Sequence, residues 1–173
     1  MTTALYVGRF QPFHHGHLHS IRHVLKDSSE VVIVIGSAMT SHQADNPFTS
    51  GERIEMIHLA LSDQGIGRDK YQVIPVPDVE VHSVWVAHIE SLCPPFDVVY
   101  TNEPLTSRLF AEKEYEVRRI PFLKRNIYSG TEFRKRVLEN EEWREIVPEP
   151  VADFLAERGL TERTRRLNLS DRL

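Results

Sequence analysis

With one cysteine, Cys93, in 173 residues, this chain can form neither an internal disulfide nor a multi-cysteine zinc site. A lone thiol suits a reducing compartment, so the cytoplasm is the expected location. No apolar run approaches the roughly 20 residues that a membrane span needs. The opening residues, MTTALYVGRF, show no basic stretch leading into an apolar core and a cleavage site, so neither secretion nor membrane insertion is expected. Excess positive charge is missing as well: 21 Lys and Arg stand against 25 Asp and Glu, a formal net charge of -4. Nucleic acid and anionic membranes are therefore not expected partners, and any phosphate binding must be built from local groups. There is no internal repeat and no low-complexity stretch.

What is present is the composition of a soluble globular protein, with 40% apolar and 27% charged residues. A chain of this length forms one domain that buries about two thirds of the surface of its unfolded form. Short β-branched or aromatic runs recur at 4–8, 31–36, 71–76, 96–101 and 115–120 and read as strands. Segments of helical period separate them. In 17–26, Leu18, Ile21 and Leu25 share one face, and His19, Arg22, His23 and Lys26 share the other. In 50–62, Ile54, Ile57 and Leu61 repeat the pattern behind a Thr49/Glu52 capping box. Further helices are expected at 83–92, at 104–112, at 130–140 behind Ser129 and Glu132, and at 149–158 ending near Gly159. This alternation predicts an α/β fold, Rossmann-like and doubly wound. It has a mostly parallel five-stranded sheet with helices on both faces, in a single domain over 1–160. Residues 161–173 read as a charged tail, frayed or in contact with a neighbouring subunit. Ligands belong beyond the carboxyl ends of the strands.

The segment GRFQPFHHGHLHS, residues 8–20, follows the first strand and opens the first helix. Gly8 lets backbone approach a ligand, Pro12 stiffens the loop, and Gly16 permits close approach where unpaired helix N–H groups point outward. His14 and His17 flank Gly16, so both imidazoles can face an anion at the helix mouth, with Arg9 adding a fixed charge. His15, His19 and His23 follow helical spacing and read as polar-face residues. A metal face built from these three would need a carboxylate or cysteine to complete it, and none is nearby in sequence.

GRFQPFHHGH resembles the GxFxPxHxGH signature of the HxGH nucleotidyltransferase superfamily, with His14, Gly16 and His17 in its defining places. YSGTEFR, residues 128–134, resembles the superfamily's SxTxxR motif through Ser129, Thr131 and Arg134. Within the superfamily the sequence looks closest to archaeal-type nicotinamide-nucleotide adenylyltransferases, through Gln11 and through the segments NPFTSGERIEMI, PDVEVHSVWVAHIESL and FDVVYTNEPLTSRLF. His82 departs from the pattern, where relatives often show Asn.

The resemblance implies adenylyl transfer from ATP to nicotinamide mononucleotide (NMN), giving NAD and pyrophosphate. It implies His17 at the α-phosphate, His14 at neighbouring triphosphate oxygens and Arg134 at the β- and γ-phosphates. Gly8, Arg9, Phe10, Gln11, Gly16, Ser129 and Thr131 complete an ATP site. Asp78, Val79 and Trp85 stand on the NMN side, where the Trp85 indole can stack on the pyridinium ring. Core packing is the competing reading of Trp85, and helix capping that of Ser129 and Thr131. A phosphate monoester is mostly ionised at neutral pH, so the nucleophile needs no general base, and donors should outnumber acids and bases. Magnesium (Mg2+) should be held mainly by substrate phosphates, without a carboxylate cage. A homo-oligomer is implied, with a hexamer among its forms. The alternative is another transferase of the superfamily acting on phosphopantetheine or FMN, or transferring a cytidylyl group.

Overall fold

Five short strands form one parallel sheet in the computed structural model, which describes residues 1–170. They are β1 (Thr3–Gly8), β2 (Glu30–Ile35), β3 (Tyr71–Pro75), β4 (Val98–Tyr100) and β5 (Glu116–Arg118), in the order β3-β2-β1-β4-β5. The chain steps outward from β1 through β2 to β3, then returns to the other side of β1 for β4 and β5. That reversal makes the sheet doubly wound and places a switch point beyond the carboxyl ends of β1 and β4. Among the described residues seven α-helices alternate with or follow the strands: α1 (His15–Asp27), α2 (Ser50–Asp63), α3 (Trp85–Leu92), α4 (Pro104–Glu112), α5 (Gly130–Glu139), α6 (Glu149–Glu157) and α7 (Leu160–Ser170). Among the described residues no helix is long and apolar enough to cross a membrane.

The chain divides into two compact units, each drawn from three separate stretches of sequence. The first comprises 1–9, 20–38 and 67–121, and the second comprises 10–19, 39–66 and 122–173.

In the first unit the strand period of two sorts the sheet's side chains onto two faces. Leu5, Val32, Val34 and Val99 lie on one face and are buried with Val86 and Ile89 of α3 and Phe110 of α4. Tyr6 and Tyr100 point the other way, toward the later turns of α1. There Ser20 hydrogen-bonds the Tyr6 hydroxyl, and His23 meets the Tyr100 ring edge-on at 6.3 Å. Helices thus cover both faces. On α1 the third apolar anchor is Val24, fully buried, where the sequence pattern points to Leu25. The half-buried Leu25 sits one residue round the helix from that stripe.

The second unit is helical. α2 packs on α6, and α7 packs on both α5 and α6. Its core holds Met56, Ile57 and Leu61 of α2, Phe133 and Val137 of α5, and Val151 and Leu155 of α6. Phe133 lies edge-on to Phe48 at 6.4 Å and to Trp143 at 5.5 Å. Gly159, at φ +64, turns the chain from α6 into α7 in a conformation that suits glycine. The segment read as a charged tail is therefore a helix up to Ser170. Its Thr164 is fully buried and donates to Leu160 O at 2.9 Å. Charged residues take its outer face, so sequence charge alone hides its apolar contacts. Residues 171–173 of that tail lie outside the described residues.

Candidate active site

The loop between β1 and α1 is held by aromatic packing and one buried amide. Phe10, buried in the second unit, has a positive φ of 55, a conformation that costs a non-glycine residue energy and needs surrounding contacts to hold it. Its ring packs 5.9 Å from Phe13 and 4.5 Å from His17. Gln11 is 4% exposed, and its side chain pairs with backbone as a strand would. Nε2 donates to Phe48 O at 3.0 Å, and Oε1 accepts from Phe48 N–H at 2.9 Å. The Gln11 side chain thus clamps the Phe48 backbone through one donor and one acceptor.

His14 and His17 stack face to face with ring centroids 3.6 Å apart. Each ring nitrogen Nδ1 accepts from the other residue's backbone N–H, at 3.2 Å for His17 and 3.4 Å for His14. A Cβ on Gly16 would lie 2.9 Å from the His14 ring and 3.1 Å from Tyr128 O, so the residue between the histidines must be glycine. Loss of solvation, reinforced by the neighbouring His15, pushes the His14 imidazole down to about 3. The same loss, with His14 alongside, holds His17 well below the usual imidazole range. Two neutral imidazoles in contact form an acceptor-and-donor pair that an arriving anion would convert toward the charged form.

The second motif lies against this loop. Ser129 caps α5, its hydroxyl accepting from Glu132 N–H at 3.1 Å. Glu132 does not return the bond as a capping box would. Its carboxylate pairs with Arg136 at 2.8 Å. Among the described residues, the N–H groups of Gly130 and Thr131 have no intramolecular acceptor, so the start of α5 faces outward with its partial positive charge. A Cβ on Gly130 would fall 2.9 Å from both Gln11 O and Arg134 Nη1. Arg134 Nη1 donates to Gln11 O at 2.9 Å, joining residues 123 apart in sequence. Thr131, Arg134 and Lys135 then line an open cleft of about 460 Å³ with Asp45. The Asp45 carboxylate, 83% exposed, is 4.0 Å from Arg134 Nη2.

His14, Gly16, His17, Phe10, Gln11, Ser129, Thr131 and Arg134 therefore gather in the second unit. Gly8, Arg9, Asp78, Val79 and Trp85 belong to the first. There Gly8 O accepts from Gly36 N–H at 2.9 Å, and Arg9 is exposed. Asp78 accepts from the Ser37 hydroxyl at 3.2 Å. Trp85 is half-buried against the apolar cluster and edge-on to Phe110 at 5.6 Å, so core packing takes part of the indole. His15 bonds the Val147 backbone and abuts the Tyr128 ring, and His23 packs on Tyr100. Neither is the plain solvent-facing residue that helical spacing suggests. Gly130, Tyr128, Phe48 and Asp45 join the site unforeseen. Gly130 and Tyr128 sit inside a quoted motif, whereas Asp45 lies in a stretch with no period to mark it.

Known proteins resemble this chain in sequence and fold. The cytidylyltransferase-like family model matches residues 5–136. The nicotinamide-nucleotide adenylyltransferase of Methanolobus tindarius is 48% identical over 172 residues, covering 99% of this chain and 98% of the relative. That of Methanococcus aeolicus is 46% identical over 168 residues, covering 97% and 96%. The chain belongs to the cytidylyltransferase-like family, among its nicotinamide-nucleotide adenylyltransferases. The fold of this adenylyltransferase family member also matches a solved structure from Francisella tularensis. That protein is a bifunctional NMN adenylyltransferase/ADP ribose pyrophosphatase complexed with AMP and a manganese ion. The TM-score is 0.71 at 23% identity, over 98% of this chain and 56% of that one. This chain spans little more than half the length of that structure, and at such identity the likeness carries the fold alone.

Proposed function

We propose that the protein transfers the adenylyl group of ATP to nicotinamide mononucleotide, forming NAD and pyrophosphate. An oxygen of the mononucleotide's 5′-phosphate attacks the α-phosphorus in line. A new phosphorus–oxygen bond forms as the bond to the bridging oxygen breaks, and that electron pair leaves on pyrophosphate. With the nucleophile already ionised and the leaving group a good one, catalysis reduces to positioning and to stabilising charge on phosphoryl oxygens.

The observation that carries this reading is the gathering of His14, His17 and Arg134 on one loop contact, at two helix starts. His17 serves the α-phosphate, and His14 the oxygens beside it. Arg134, with the outward N–H groups at the start of α5, serves the β- and γ-phosphates. Ser129 contributes the cap that shapes that start, and Thr131 lines the cleft beside it. Asp78, Val79 and Trp85 serve the mononucleotide. Magnesium bound to the triphosphate would supply positive charge against the phosphate oxygens. The donors here are imidazole, guanidinium and backbone N–H, which suit phosphate and do not form a cage for a divalent cation. Among the described residues no three His, Cys, Asp or Glu side chains gather to hold one. The reading extends to a homo-oligomer, as the resemblance implies, and to the cytoplasm, whose reducing conditions suit the single thiol Cys93.

The test is an assay of the purified chain with ATP, magnesium and a panel of acceptors: nicotinamide and nicotinate mononucleotides, phosphopantetheine and FMN. Pyrophosphate release with NAD formation from the first is the expected result. Transfer to phosphopantetheine or FMN alone would assign the chain another acceptor.

A further inference from the structure

The start of α2 and the C-terminal helix α7 meet in an ion pair for which the phosphate chemistry has no direct use. Arg163 Nη1 lies 2.7 Å from Glu52 Oε2, and Nη2 lies 2.9 Å from Glu52 Oε1. The two side chains are 27% and 21% exposed. Nη1 also donates to Pro47 O at 3.3 Å. The same Glu52 carboxylate accepts from Thr49 N–H at 2.9 Å, and the Thr49 hydroxyl accepts from Glu52 N–H at 3.2 Å.

Arg163 therefore holds the residues on both sides of Phe48: Pro47 directly, and Thr49 through Glu52. Phe48 in turn offers both backbone groups to the buried amide of Gln11, and Gln11 O anchors Arg134. Hydrogen bonds, joined by the peptide links on either side of Phe48, thus run from α7 to the loop that carries His14 and His17. Apolar residues of equal size would hold α7 in place at least as well as an ion pair does. What a bidentate fork adds is direction, because two parallel bonds fix the plane of the carboxylate as well as its distance. In support, the Glu52 carboxyl stays below its ordinary value because hydrogen bonds from Arg163 and Thr49 outweigh the opposing effect of burial.

We infer that Arg163 is a positioning residue for adenylyl transfer, setting the Phe48–Gln11 clamp that aligns the histidine loop with Arg134. The inference rests on the reaction proposed above, and its test separates the two. Full-length wild type, Arg163→Ala, Arg163→Lys, Glu52→Gln and the Arg163→Ala/Glu52→Gln double variant are compared. The measurements are kcat, KM for each substrate, thermal midpoint and calorimetric affinity for inorganic tripolyphosphate.

Arg163→Ala should lower kcat about tenfold and weaken tripolyphosphate binding severalfold, since small misplacements of binding groups slow positioned reactions steeply. KM for nicotinamide mononucleotide should stay within about twofold. Arg163→Lys should recover only part of the loss, because it restores charge without the fork. The double variant should fall no further than Arg163→Ala, as expected of residues acting as a unit. Should Arg163→Ala fail to fold, Glu52→Gln carries the test, because Gln preserves the capping box while losing the ion pair. A lower thermal midpoint with unchanged kcat and tripolyphosphate affinity would reduce Arg163 to a structural role, and multiplying losses in the double variant would break the series. If wild type forms no NAD, the reaction falls, while the tripolyphosphate affinities still decide the positioning.

Discussion

Two helices of the second unit begin with the same signature, a hydroxyl residue followed three positions later by Glu, and they use it differently. At α2 the box closes: Thr49 and Glu52 satisfy each other's backbone, and the spare capacity of the carboxylate goes to Arg163. At α5 it stays open. Ser129 caps, but Glu132 turns to Arg136, and the N–H groups of Gly130 and Thr131 face outward beside Arg134. A closed start has little positive field left for an anion, whereas an open start beside a guanidinium is a ready phosphate site. Where the glutamate goes separates a closed helix start from one left open to an anion.

The comparison breaks most sharply at the open side. His17→Ala should leave a folded protein while lowering turnover at least about a hundredfold, because one donor to a transition state typically contributes that much. Steady-state kinetics with a thermal melt checks it, and wild-type-like turnover would remove His17 from the mechanism. Arg134→Ala should come next, slowing turnover by about tenfold to a hundredfold and raising the ATP requirement, with partial rescue by Lys. Unchanged KM for ATP would reduce this helix start to an ordinary cap. Gly130→Ala sharpens the point without touching a charge. Its methyl must displace Gln11 O or Arg134, so a stability loss of about 1–3 kcal/mol should accompany reduced turnover.

The two hydroxyls then offer a direct contrast. Thr49→Ala should cost about 1–2 kcal/mol in denaturant unfolding and leave KM for ATP nearly unchanged. Ser129→Ala should cost about 1 kcal/mol or less but raise KM for ATP. Equal effects on both readouts would erase the difference between the two starts.

pH gives a smaller, signed effect. His14 and His17 have folded values held below the ordinary 6.5, so well above 6.5 both states are unprotonated and their titration leaves stability unchanged. Below about 6.5 the unfolded chain takes up protons that the folded chain refuses, and stability falls as pH drops toward the lowered values. Tripolyphosphate should oppose this by favouring the charged imidazoles. Its binding near pH 6 should therefore take up protons, seen as a buffer-dependent calorimetric heat that vanishes in a His14→Asn/His17→Asn variant. The smallest effect belongs to Asp45→Asn, which removes an exposed carboxylate 4.0 Å from Arg134. It should lower KM for ATP about twofold, as suits a screened surface charge.

Much of this was open to sequence reading because it depends on local chemistry. Strand and helix positions followed from period and caps, with differences of a few residues at the ends, as at β4, where a segment expected over 96–101 pairs only from Val98 to Tyr100. The motifs around His14, His17 and Arg134 are legible through their resemblance to family signatures, and close backbone approach accounts for the glycine among them. The α7 helix was missed because charge on its exposed side masks a buried Thr164 and Leu160. Spacing alone makes the Ser129 box the equal of the Thr49 box, since it cannot say that Arg136 captures Glu132. Period and motif place Gln11 on the loop, but its buried pairing with the Phe48 backbone leaves no mark in the sequence.

By itself, then, the sequence determined the order of strands and helices, the residue types of the phosphate loops and the family they mark. These depend on neighbours within about four positions, through helical and strand period and capping. Only the tertiary structure decided that Arg134 reaches Gln11 O across 123 residues, that Arg163 clamps Glu52 and that Gly130 has no room for a methyl group. Those contacts depend on where distant backbone comes to rest, which is set by the packing of whole helices and left no period in the chain.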